Sequence, residues 1–151
     1  MINISRTNST DNDFKLLIDL LDNELREVYG QMQDTYDKFN KVEFCDTVII
    51  GLLDNVPIGC GCFVKYSDDT VEIKRMYVSK QYRGQGLSKD ILQGLQDWAS
   101  ELKFDKLILE TGTKQIEAIN LYKKSGFQLI ENYGKYKGLD TSICMIKNLK
   151  T

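Results

Sequence analysis

The chain has 151 residues, 42% of them hydrophobic and 28% charged, with a formal net charge of −2. That length suits one domain, residues 1–151, with a sizeable core. The single proline and scattered charges exclude a long disordered linker, and the dispersed lysines and arginines exclude the clustered basic surface that nucleic acid requires.

"INISR" alternates in polarity and predicts a first strand. Thr10 or Asp11 can cap a helix running to about Tyr29, with Phe14, Leu17, Ile18, Leu21, Leu25 and Val28 at helical spacing. Gln31 to Glu43 is polar and aperiodic, anchored by Tyr36 and Phe39, and reads as a short helix and loop. "TVIIGLLD", "DNVP" and "IGCGCFVKY" read as strand, turn and returning strand. "SDD" turns again into "TVEIKRMYV", so the first half is an antiparallel meander.

The second half changes character. Leu87, Ile91, Leu92, Leu95, Trp98, Ala99 and Leu102 form one helical face. "KLILE" reads as a short strand buried on both sides. A second helix covers about Gln115 to Lys124, with Gly126 at the left-handed C-terminal position and Phe127 able to fold back. "TSICMIKNL" is a final strand. A right-handed crossover makes "VEIKRMYV" and "KLILE" parallel neighbours. The expectation is an α+β domain with a mixed, mainly antiparallel sheet and helices on its faces.

No apolar run approaches the ~20 residues that span a bilayer, and "MINISRTNST" lacks a signal-peptide core. A cytoplasmic location, with no membrane partner, is the expectation. Histidine is absent, and Cys60 and Cys62 lack the spacing of a zinc site. Both point to one face of their strand. With Cys45 and Cys144 they read as buried free thiols, and no metal is expected. Acidic residues dominate from Asp11 to Asp46, and lysines from Lys114 to Lys150. The acidic first helix favours a cationic ligand, such as an amine.

The stretch "VSKQYRGQGLSKDIL" places Gly84 and Gly86 where a strand hands over to a helix. A helix N-terminus there offers unpaired N–H groups and a favourable dipole to an anion. Glycine lets the backbone approach closely, and Arg83 adds positive charge. The Walker pattern is absent. The dinucleotide fingerprint fails at Lys89, where its third glycine belongs. Gln81-Tyr82-Arg83-Gly84-Gln85-Gly86 does match [Q/R]-x-x-G-x-[G/A], and Ala118 to Phe127 reads A-x-x-L-Y-x-x-x-G-F. Both motifs resemble those of the GNAT superfamily of N-acetyltransferases, with the resemblance concentrated between Val71 and Ile130.

That resemblance implies a GNAT-like sheet with a splayed parallel strand pair, and acetyl-CoA as co-substrate. Pantetheine would pair with free backbone at Met76 and Val78, and pyrophosphate would sit on the N–H groups of Arg83 to Ser88, including Leu87. The Ser88 hydroxyl can donate to phosphate or cap the helix. Gln115 stands where the family often has an asparagine that contacts pantetheine. Asn120, two residues from Tyr122, is expected to face elsewhere. Tyr122 matches the tyrosine that protonates the departing thiolate, and Leu121 or Tyr122 can be the packing residue.

Glu72 is the first candidate base, on the face of Met76 by period-2 counting, although the bulge that the resemblance implies in this strand could flip that parity. Glu110 is the second candidate, and an ordered water the third. Tyr133 and Tyr136 are candidates to close over a small acceptor. The implied function is direct acetyl transfer to a primary amine in a ternary complex, with a small-molecule acceptor favoured. Acetylation of a protein N-terminus or lysine, and a non-catalytic acyl-CoA-binding module, are the alternatives. An exposed final strand would offer an edge for a homodimer.

Overall fold

Strand β1 (Ile2–Thr7) lies antiparallel to β2 (Val48–Leu53), and between them in sequence runs helix α1 (Asn12–Tyr29). The computed structural model describes residues 2–30 and 44–150. The helix and loop expected over 31–43, with Tyr36 and Phe39, lie outside these residues. Asp11 caps α1, its carboxylate accepting the Asp13 N–H at 2.8 Å. β2 turns into β3 (Val56–Lys65) through Asp54 and Asn55, whose φ values of 49° and 70° suit a two-residue hairpin turn.

β4 (Thr70–Val78) completes the meander. A short 3-10 turn, Lys80–Tyr82, leads to helix α2 (Leu87–Glu101). Then come β5 (Lys106–Gly112), α3 (Ile116–Lys124), β6 (Gln128–Ile130) and β7 (Ser142–Asn148). The seven strands stand in the order β1-β2-β3-β4-β5-β7-β6, and β4–β5 is the parallel pair.

The sheet departs from the sequence expectation at its β6 edge. β6 was not anticipated, because "QLI" is only three residues long and two of them are exposed. It pairs with β7, which places the final strand between β5 and β6. Cys144 to Ile146 of the final strand are therefore covered by β6, which corrects the expectation of an exposed final strand for that part; among the described residues the sheet edges are β1 and β6.

Helices α2 and α3 cover one face of the sheet, where Leu87, Ile91, Leu92 and Leu95 meet Ile49, Ile73 and Leu109. Removing each such side chain from water contributes about 1.5–3 kcal/mol. Helix α1 covers the other face through Phe14 and Leu17, against Val48, Ile50, Cys60 and Cys62. The α1 stripe departs from expectation towards its C-terminus. Leu21 and Leu25 face a cavity instead of the core, Val28 is 37% exposed, and Tyr29 is buried in its stead. All four cysteines are buried and free. Phe127 folds back as expected, with its N–H donating to the Tyr122 carbonyl at 3.0 Å behind Gly126 at φ 94°.

Candidate active site

β4 and β5 pair only from Thr70–Lys106 to Ile73–Leu109. Beyond that point β4 continues to Val78 without a β5 partner, leaving an open V. The divergence has a local cause. Arg75 and Met76 together oppose Gly61 on β3, a β-bulge with Arg75 at φ 60°. Gly61 leaves room there for the Met76 side chain, since a Cβ would stand 2.5 Å from the Met76 sulfur and force it to shift.

The bulge also breaks side-chain alternation. Lys74 opposes Cys62 and Tyr77 opposes Cys60, so Lys74 and Tyr77 share the α1 face. Met76 packs against the α2 cluster. Glu72 opposes Val64, which packs on the α1 face. The expectation that Glu72 and Met76 share a face is therefore corrected: one extra residue in β4 reverses the parity.

Below the V lies a cavity of about 120 Å³, closed by Leu21, Leu25 and Tyr29 of α1 and by Tyr136 of the β6–β7 connection. Glu110, Thr111 and Gly112 of β5 form its floor, and Ala118 and Tyr122 of α3 its far side. A groove of about 490 Å³ shares Leu21, Leu25, Met76, Gln115, Ala118 and Tyr122 with it, and runs outward past Val78 to the glycine turn. Arg83, Gly84, Gly86, Leu87 and Ser88 line that outer end.

Gly84 and Gly86 have φ values of 80° and 85°, and a Cβ on either would meet nothing within 4 Å. Glycine is required here by backbone conformation, and the same bareness leaves the N-terminus of α2 open to an anion. Gly86 is the N-cap, so Ser88 does not cap the helix. The Arg83 N–H is already bonded to the Lys80 carbonyl at 3.3 Å, which removes it from the expected set of anion donors. Its guanidinium is held too, by the Val78 carbonyl at 2.7 Å and by both Glu24 carboxylate oxygens. Gln81 and Gln85 are exposed and lie outside the groove lining. The groove lining also includes residues that carried no site role from sequence, among them Glu24, Lys89, Glu117, Asn120 and Lys124. Asn120 was expected to face elsewhere; the first turns of α3 bring it to the rim. Lys89 and Lys124 are recognisable only once the two helices are juxtaposed.

The two carboxylates differ in environment. Glu72 is buried but does not line the cavity. It accepts the Tyr133 hydroxyl at 2.7 Å and sits 3.7 Å from the Lys74 ammonium. Tyr133 is thereby turned to Glu72, so of the two tyrosines expected to close over an acceptor only Tyr136 lines the cavity. Glu110 lines the cavity, and burial pushes its carboxyl up to about 7, opposed by a hydrogen bond from Ser142 and by the charge of Lys74. Tyr122 is 5% exposed and lines both cavity and groove. Burial, and then the Glu110 charge, raise its hydroxyl above the ordinary range, so it stays a proton donor. Leu121 packs beside it in the same cluster. None of the cysteines lines the cavity or the groove.

No described helix is long and apolar enough to cross a membrane. Among the described residues, no group of three or more cysteines or carboxylates is placed to hold a metal ion.

The sequence profile of the Acetyltransferase (GNAT) family matches residues 14–127. The chain is 33% identical over 93 residues to the IAA acetyltransferase of Azospirillum brasilense, covering 61% of each protein. It spans less than two thirds of the length of the relatives it matches by sequence. A Klebsiella pneumoniae protein provisionally assigned as an acyl-CoA N-acyltransferase superimposes with a TM-score of 0.82 at 29% identity, covering 99% of this chain and 98% of that one. A GNAT family acetyltransferase from Elizabethkingia anophelis, solved with acetyl-CoA bound, shares the fold at 22% identity with a TM-score of 0.67, covering 97% of each chain.

Proposed function

The chain belongs to the GNAT acetyltransferase family, and from that premise we propose that it moves the acetyl group of acetyl-CoA to the amine of a small molecule. The observation that carries this reading is the placement of Glu110 and Tyr122 on the wall of one small cavity, at the inner end of a groove leading from the glycine turn.

In this reading the pyrophosphate rests on the backbone N–H groups from Gly84 to Ser88, with Lys89 and Lys124 supplying positive charge at the groove. The pantetheine amides pair with the free β4 backbone from Met76 to Val78, as an added strand would. Gln115, at the N-cap of α3, borders that path. The thioester then reaches Tyr122.

The acceptor enters the cavity as an ammonium ion. Glu110 takes one of its protons, and a carboxyl titrating at about 7 is matched to that task near neutral pH. The amine nitrogen attacks the thioester carbonyl, and a C–N bond forms. The tetrahedral intermediate collapses, the C–S bond breaks, and the electron pair leaves on sulfur. The Tyr122 hydroxyl protonates that thiolate, and the second proton shed by the amine nitrogen as the amide forms passes through solvent to restore the Tyr122 hydroxyl. The transfer is direct, in a ternary complex, because no cysteine borders the path to accept the acetyl group. Glu110 is preferred to Glu72 because only Glu110 lines the cavity. A cavity of about 120 Å³ favours a small amine over a folded protein segment.

The test is incubation of the protein with acetyl-CoA and a panel of small primary amines and N-terminal and lysine peptides, with products followed by mass. Acetylated small amines are expected. Acetyl-CoA binding with no acetylated product across the panel would instead favour the acyl-CoA-binding module.

A further inference from the structure

We propose that Ser142 is a positioning residue, whose hydroxyl fixes one oxygen of the Glu110 carboxylate and leaves the other for the acceptor amine. The proposal rests on the assignment of Glu110 as base.

Register brings the two side chains together. Glu110 opposes Cys144 across the β5–β7 ladder, and Ser142 opposes Gly112. Ser142 is two residues from Cys144, so it is the diagonal neighbour of Glu110 on the same face. Its Oγ donates to the Glu110 Oε2 at 2.6 Å, a length typical of a hydroxyl bound to a carboxylate. Both groups are sheltered, with Ser142 only 6% exposed.

The serine is itself held firmly. Its N–H donates to the Leu139 carbonyl at 3.1 Å, and its own carbonyl accepts from the Asn132 amide at 3.1 Å. Asn132 also donates to the Tyr136 and Leu139 carbonyls. One amide thus ties the connection carrying Tyr136 to the start of β7, where the donor stands. A carboxylate on a strand can still rotate about its side-chain torsions, and a fixed donor on the neighbouring strand removes that freedom.

Other groups act on the same carboxyl. From β4, Lys74 favours its ionised form and Glu72 opposes it. Tyr122 from α3 and Cys144 from β7 interact with its charge, and Arg75, Tyr29 and Tyr136 border the same cavity. Among the described residues, Ser142 is observed to donate a hydrogen bond to Glu110, and that bond favours ionisation. Losing it must therefore raise the pH at which Glu110 becomes a base.

The experiment uses the full chain with carboxyl-labelled glutamate, followed by NMR across pH, with the Glu110 signal assigned by its loss in Glu110→Gln. In Ser142→Ala the Glu110 midpoint is expected to rise by roughly one pH unit, the scale of one charge-assisted hydrogen bond. Ser142→Thr keeps a hydroxyl and should restore the wild-type midpoint. Ser142→Cys keeps similar bulk with a weak donor, and should rise as alanine does even if the alanine variant folds poorly. An unmoved midpoint in the alanine and cysteine variants overturns the proposal. With acetyl-CoA and an amine substrate from the panel, the acid limb of kcat/KM should move with the NMR midpoint. A shifted carboxyl with an unshifted rate profile would overturn Ser142 as a positioning residue for the reaction. The NMR result stands even if no amine is acetylated, which separates failure here from failure of the acetyltransferase reading.

Discussion

Arg83, at the edge of the glycine turn, is held by Glu24 of α1 through two contacts, of 2.9 and 2.6 Å. The pair spans the outer groove, and both residues line it. A pyrophosphate bound as proposed would meet an arginine whose charge is already matched, next to a carboxylate that repels it. Glu24→Gln should release the guanidinium and remove the repulsion. Acetyl-CoA should bind roughly threefold to tenfold more tightly, the scale of about 1 kcal/mol for a partly exposed charge. Calorimetric titration measures this directly, with circular dichroism to check that α1 stays docked. Unchanged or weaker binding in a folded variant would mean that the pair holds the loop in its binding shape instead of competing for the arginine.

Lys89 and Lys124 stand on different helices and line the same end of the groove. Both side chains are exposed, so reversing either charge should leave the fold intact. Lys89→Glu and Lys124→Glu should each weaken acetyl-CoA binding by about fivefold, with a reduced dependence on salt. Lys15→Glu, on α1 and away from the groove, is the charge-matched control. Equal affinity in all three variants would remove the phosphates from this end of the groove.

Much of the fold was legible because hydrophobic period and turn chemistry agree along most of the chain. The meander, the crossover and the Gly126–Phe127 helix ending follow from local pattern. β6 was not legible, since three residues carry too little pattern to separate a strand from a loop. The site was legible in its backbone part, because Gly84 and Gly86 are demanded by local conformation. Its side-chain part was less so. Period-2 counting put Glu72 beside Met76, and a bulge at Arg75 moved it away. The family resemblance implies a bulge in this strand, but residue types do not mark its position, so the parity of Glu72 could not be read before the structure placed the bulge at Arg75. Leu21 and Leu25 have core spacing, and only the splay of β4 from β5 turns the surface beneath them into a cavity.

Glu110 ties stability to pH. Its folded carboxyl titrates at about 7, above the ordinary value of 4.5. The folded state then holds a proton that the unfolded state has released. The resulting stabilisation is complete below the unfolded value and is lost as pH rises through about 7. Glu110→Gln cannot ionise, so the variant should be more stable than wild type in mildly alkaline solution, by roughly 1–3 kcal/mol, and near parity in acid. Thermal unfolding across pH checks this. Activity should move the opposite way. The wild-type rate should climb as Glu110 ionises, and the variant should lose on the order of 10²–10⁴ in kcat/KM together with that limb. A variant that keeps the wild-type pH–rate profile would transfer the base to Glu72 or to water.

Tyr122→Phe separates catalyst from binding module. The change deletes one oxygen and keeps the ring that packs edge-on against Phe127, with centroids 5.7 Å apart. The residue is buried among apolar neighbours, which the ring of phenylalanine can still fill. Stability and acetyl-CoA affinity should therefore stay close to wild type. Burial and the Glu110 charge keep the hydroxyl protonated, and under the proposed mechanism it gives its proton to the leaving sulfur. Without it kcat should fall by roughly tenfold to a thousandfold, at or below the usual range for a general acid, because a thiolate leaves with less help than an alkoxide. Product must be followed by mass, since four free cysteines complicate thiol reagents. Equal turnover in both proteins would reduce Tyr122 to a packing residue and leave the thiolate to be protonated by solvent.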